Sequence, residues 1–332
     1  MNLFIDTNIY LTFYHFTSDD LEELKKLSIA IENQKIKLYI TKQVLNEYKR
    51  NREARISDAL KKFTEQKLNN QFPQICKEYE EFNYLKEAIK VFNKNKDIII
   101  NKLLSDIAEN KLGADEIISE LIDKAKIIKI TEKIYNKAKI RIDLGNPPGK
   151  KGSLGDALNW ELLLDEIPNN EDLYLITDDR DFISKINEDS LSKFLSDEWF
   201  KKKNSSIYFY KQLSYFFNEK FPDIKLASEL EKELTISNLI NSSNFQNTHN
   251  SVNILSKFSD FSDYQIKELI NASISNNQIY WISSDKDIKN FFISLISDKE
   301  NIIDPDKLNI FKEKYCKEKD SEDNLEVSVA PF

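Results

Sequence analysis

Four short apolar runs punctuate the first 222 residues, and each is followed by sequence with helical spacing. Asn2–Ile5 stops at Asp6, Lys35–Ile40 alternates, and Leu173–Thr177 and Ile207–Tyr210 are dense in β-formers. Leu21, Leu24, Leu27 and Ile31 place a helix over 19–31, and Lys42 to about Lys67 reads as one long helix. Residues 75–140 are charged, rich in Leu and Ile, and contain only Gly113, which suits several helices; the run Ile127–Ile130 interrupts them and is short enough for a further strand. The one Pro/Gly cluster spans Gly145 to Ser153 and precedes a helix over Gly155–Asp165, and an aromatic helix is expected over 211–219. Strands that alternate with helices pair in parallel, so the expected class is α/β.

The pattern changes after residue 222. Residues 236–252 are rich in Ser and Asn and read as loop or weak helix; a helix over 263–274, a strand over 278–283 and a helix over 285–297 follow. The expected division is 1–222 as the main domain with a helical insertion at about 54–140, 223–315 as a small α/β helix–strand–helix module, and 316–332 as a flexible tail. Gly155-Asp156 leads to Asp179 much as Ser262-Asp263 leads to Asp285, each across a helix and an apolar run. That echo suits a partial duplication, but recurrence of a Lys/Asp-capped unit in this composition explains it more simply.

With 332 residues, 40% of them apolar, a sizeable core is available, and 21 Phe and 14 Tyr exclude wholesale disorder. No run approaches 18 apolar residues, and MNLFIDTNIY reaches Asp6 without a basic region, so neither a membrane span nor a secretory leader is expected. Cys76 and Cys316 make no disulfide framework, and a cytoplasmic location is expected. A net charge of −8 argues against coating nucleic acid with the whole surface. Residues 223–332 carry 12 Lys against 19 Asp and Glu, however, so the acidity is mostly C-terminal. An electropositive face is still open to the first part.

In open parallel sheets, functional groups gather at the carboxyl ends of the strands. Asp6 ends the first run, Glu47 lies on the helix after the second, Asp156 opens the helix after the Gly/Pro loop, and Asp178, Asp179 and Asp181 follow Thr177. Any of them could be a cap or a solvated surface residue. Four acidic segments at one sheet edge repel each other, and bound divalent cations relieve the repulsion. Carboxylates suit Mg²⁺ or Mn²⁺, and two such ions roughly 4 Å apart can hydrolyse a phosphodiester. Softer metals lack ligands, since the only histidines are His15 and His249.

FIDTNIY at 4–10, ITKQVLNEYKR at 40–50, PPGKKGSLGDALNW at 147–160 and LYLITDDRDF at 173–182 together resemble the PIN-domain nucleases, relatives of the flap endonucleases. The resemblance covers about residues 1–222 and looks closest to the larger bacterial branch with a helical insertion and a Pro-Pro-basic loop. It implies a 3-2-1-4-5 parallel sheet sandwiched by helices. It also implies a metal-dependent endonuclease, with RNA favoured over DNA as substrate. Asp6, Glu47 and Asp156 match the family's first three acids, and Asp179 the fourth, with Asp181 as companion and Asp178 as an alternative one position away. Thr7, Asn8 and Thr177 would orient the acids.

Only five of the 48 basic residues are Arg, and all fall near these motifs. Arg50, Arg141, Arg180 and the Lys150–Lys151 pair are therefore expected to grip phosphates. Arg52 and Arg55 suit this role or ordinary helix salt bridges equally. Asp285 and Asp287 mimic the fourth motif without a counterpart of Asp6 or Glu47, so a second active site is not expected. The C-terminal region is read as a module that packs on the nuclease or meets a protein partner, with Phe291 and Phe292 in its core. The alternative to an enzyme is a non-catalytic nucleic-acid- or protein-binding module on the same fold, which four intact acidic positions disfavour. A haloacid dehalogenase-type phosphotransferase would need Asp two positions after Asp6, where Asn8 stands.

Overall fold

The computed structural model describes residues 1–15, 21–68, 71–150, 152–297 and 299–316. Five parallel strands form one sheet: β1 (Asn2–Ile5), β2 (Lys37–Thr41), β3 (Lys126–Ile128), β4 (Leu173–Ile176) and β5 (Ile207–Tyr210), in the order β3-β2-β1-β4-β5. In register, Leu3 lies between Leu38 and Tyr174, and Phe4 between Tyr39 and Leu175. The central strand β1 is buried throughout, as its unbroken apolar run requires for a parallel strand covered on both faces.

Helices flank the sheet. Leu21–Glu32 packs with Gly113–Lys124 and Leu213–Lys220, while Gly155–Glu166 packs with Lys42–Glu65, Glu132–Asp143 and Lys193–Lys203. Gly155–Glu166 is buried on nearly every side from Ala157 to Leu164, so it is a core helix rather than an amphipathic one. Trp160 meets Trp199 at 5.9 Å and Phe182 at 6.4 Å between ring centroids.

The stretch 54–140 holds more than an insertion. β3 lies inside it and pairs with β2, and Glu132–Asp143 belongs to the packed core. The added part is the end of Lys42–Glu65, a 3₁₀ turn at Gln74–Glu78 and the helix Glu81–Glu109. That last helix buries only Ile89.

The chain forms two compact units, Met1–Ala227 and the part from Ser228 onward, against an expected boundary after residue 222. Among its described residues the second unit is all helical, so the expected α/β module is corrected. Residues 278–283 do not form a strand; Asn277–Trp281 is a short helix whose Asn276 side chain caps it by accepting from Gln278 N–H at 2.8 Å. Residues 236–252 lie largely in two helices, Ala227–Ile240 and Phe245–Leu255, the second capped by Asn244. Leu239, Val252, Leu269, Ile279, Phe292 and Phe311 are central to this unit's core, and Phe291 joins them at 4% exposure. Lys312 belongs to a further helix, Pro305–Tyr315, and the tail from 317 lies outside the described residues.

Candidate metal centre

The acids are placed by strand ends and helix starts. Asp6 follows β1 and caps helix Thr7–Thr12, accepting from Thr7 N–H at 2.7 Å. Its other oxygen accepts from the Thr177 hydroxyl, also at 2.7 Å. Thr177, fully buried just past β4, accepts in turn from Asp179 N–H at 3.1 Å and from Asn8 Nδ2 at 3.4 Å. One hydroxyl thus ties the first acidic segment to the fourth. Asp179 Oδ1 accepts from Asp181 N–H at 2.8 Å, closing a turn that turns both side chains to the same place. Thr7 reaches Glu47 with a hydroxyl contact of 3.4 Å.

Asp156, Asp179 and Asp181 each present one carboxylate oxygen, and the three oxygens lie within 4.8 Å of one another. Asp6 and Glu47 lie outside that trio but act on it through charge. Burial foremost, then the charges of Asp6, Asp179, Asp181 and Glu47, push Asp156 up to about 7. Burial likewise pushes Asp6 up to about 6, against the lowering effect of its bonds from Thr177 and Thr7. Asp178 is exposed and stands outside the trio.

The residues present fit a hard divalent cation. Every donor of the trio is a carboxylate oxygen, and Asp181 Oδ2 is buried without a hydrogen-bond partner. Neither histidine contributes: His15 pairs with Asp58 at 3.0 Å, and His249 with Asp287 at 2.7 Å.

The basic residues divide into two groups. Arg50 and Arg180 are exposed, and Lys150, with 71% of its side chain exposed, places Nζ 4.0 Å from Asp181 Oδ2. Lys151 lies outside the described residues. Arg141 must be corrected: it is 5% exposed, and its guanidinium is committed within the fold. Nε donates to Glu161 Oε1 at 2.8 Å, Nη1 to the Pro147 carbonyl at 2.5 Å, and Nη2 to both oxygens of Glu198 at 2.6 and 2.8 Å. It anchors the Gly145–Gly149 loop instead of gripping phosphate. Arg52 is also structural, donating to Asp115 at 2.6 Å; Asp115 accepts from Tyr14 as well.

Two features near the acids were not read from the sequence. A Cβ on Gly155 would come within 2.8 Å of Gln43 Nε2 and 3.7 Å of Glu47 Oε2, so Gly lets the two helix starts meet closely. Thr41 donates its hydroxyl to Asn159 Oδ1 at 2.6 Å, linking the end of β2 to the helix of Asp156. The Thr before a helix was a readable cap signal, but nothing in the sequence announced Asn159 as its partner.

A parallel sheet ordered 3-2-1-4-5 with a carboxylate trio beyond its strand ends defines a class of α/β proteins equipped to hold a divalent metal. The chain belongs to the PIN-domain family, whose match covers residues 3–182. No curated protein and no solved structure matches it.

Proposed function

We propose that this protein is a divalent-cation-dependent endonuclease that hydrolyses phosphodiester bonds in nucleic acid, with RNA favoured over DNA. The observation that carries the reading is the convergence of Asp156, Asp179 and Asp181 in a chain of the PIN-domain family. These three would hold the ion, with Asp6 and Glu47 completing the acidic surround. Mg²⁺ or Mn²⁺ bound there supplies Lewis acidity to the phosphate and lowers the pKa of water.

The chain's own residues do the positioning. Thr177 and Thr7 fix the Asp6 carboxylate, Asp179 orders the turn to Asp181, and Asn8 buttresses Thr177. Arg50, Lys150 and Arg180 offer exposed cations for the backbone phosphates on either side of the scissile bond. Lys151 is assigned the same role from sequence, and Asp178 is a reserve acid outside the trio. The larger bacterial branch is supported by the long helical stretch and the Pro-Pro-basic loop. A protein-binding role for the second unit is carried by sequence alone.

The test is incubation of labelled single-stranded RNA and DNA with the protein in Mn²⁺, Mg²⁺ or EDTA, beside Asp156→Asn. Cleavage is expected with either ion and none with EDTA, and Asp156→Asn should lose at least about a hundredfold in rate. Equal rates in variant and wild type would reject the reading. Metal-independent binding without cleavage would establish the binding-module alternative.

A further inference from the structure

We propose that the buried Thr41–Asn159 hydrogen bond is a positioning device for the cation site, holding together the two helix starts that carry Glu47 and Asp156. The inference rests on the metal-binding reading above and assigns work to two residues that touch neither substrate nor ion.

Thr41 is fully buried and Asn159 is 1% exposed. The Thr41 hydroxyl does two things at once. It accepts from Val44 N–H at 3.0 Å, starting the helix that carries Glu47, and donates its only proton to Asn159 Oδ1 at 2.6 Å. Asn159 stands one turn beyond Asp156 on its own helix. One rotor therefore fixes the start of one acid-bearing helix and grips the other.

The grip is needed where it lies. Gly155 brings the helices together with no side chain between them, and Glu47 Oε2 would lie 3.7 Å from a Cβ there. Asp156 and Glu47 are both carboxylates and repel each other when ionised. That repulsion works against the close approach of the two helix starts, so a fixed bond beside the acids favours the assembled surround before the ion arrives. Asn159 Nδ2 has no hydrogen-bond partner, so Oδ1 carries the whole connection. Groups bonded directly to metal ligands typically change its affinity by about 10–100-fold when mutated; Thr41 and Asn159 bond each other one step further out, which sets the expectation at the low end of that range.

The test is Mn²⁺ titration of the full chain, following free Mn²⁺ by electron paramagnetic resonance, with the metal-free melting temperature measured in parallel. Asn159→Leu and Thr41→Val should each weaken Mn²⁺ binding by about tenfold. Thr41→Ser, which keeps the hydroxyl, should bind as wild type does. The double variant Thr41→Val/Asn159→Leu removes both halves of the side-chain bond, leaving only Val44 N–H without its cap, and keeps the test open where a single variant fails to fold. A purely structural bond would lower the metal-free melting temperature and leave the Mn²⁺ dissociation constant alone; that result, in a folded variant, overturns the proposal. Wild type that binds no Mn²⁺ would overturn the metal reading itself, a failure visible before any variant is made.

Discussion

Asp156 is an acid held near neutrality, at about 7, with Asp6 close behind at about 6. Both lie well above the ordinary value of 3.8, so between about pH 4 and 7 the native state keeps protons that the unfolded chain has released. Their contribution to stability is complete below about pH 4 and is lost as pH rises through 6 and 7. The metal-free melting temperature should therefore fall from pH 5 to pH 8, and less steeply in Asp156→Asn. Mn²⁺ competes with the same protons, so its stabilising effect should grow over that window. Melting curves at pH 5, 6.5 and 8, with and without Mn²⁺, check both statements; identical pH slopes in variant and wild type would contradict the first. At this scale the acids were legible because each follows an apolar run or a Gly/Pro loop. Asn159 was not, because its partner Thr41 is 118 positions away and Asn has no fixed role on a helix.

Arg141 shows how elements, not residues, decide a side chain's work. Its place before the Gly/Pro loop suggested a phosphate contact, but the neighbours that claim it, Glu161 and Glu198, come from two other helices. Replacing Arg141 with Met leaves the buried Glu161 without its cation, while Glu198 keeps Lys202 at 2.8 Å, and should cost about 3–5 kcal/mol in stability. Replacing the exposed Arg180 with Ala should leave stability within about 0.5 kcal/mol while weakening nucleic-acid binding. Chemical denaturation and a binding titration on both variants separate the two behaviours. Elements were legible where pattern and context agreed. The five strands of the sheet sit in short apolar runs, and the helix expected from Lys42 to about Lys67 is found at Lys42–Glu65. The run 278–283 misled for the same reason that made it look clear. Short β-prone runs read alike in strands and buried helix turns, and here the Asn276 cap and the burial of Ile279 select the helix.

At the scale of the molecule, and among the described residues, the trio that could hold a metal lies in the first unit. In the second, Asp285 and Asp287 pair with His249 at 3.3 and 2.7 Å, which gives these two acids a local partner within their own unit. Changing both to Asn should leave Mn²⁺ affinity and cleavage within a few-fold of wild type and reduce stability by no more than about 1 kcal/mol. A variant as inactive as Asp156→Asn would overturn that division of labour. The centre of the sheet has a further consequence, for biosynthesis. β1 is made well before β4, which begins at Leu173 and covers one of its edges. Asp6 is likewise bonded across 171 positions to Thr177. A nascent chain therefore carries its first acid long before its fourth, and cannot form the trio until Asp181 has emerged. Metal binding at the trio has to wait for that segment, while the open edge of β1 stays a surface for chaperones to cover.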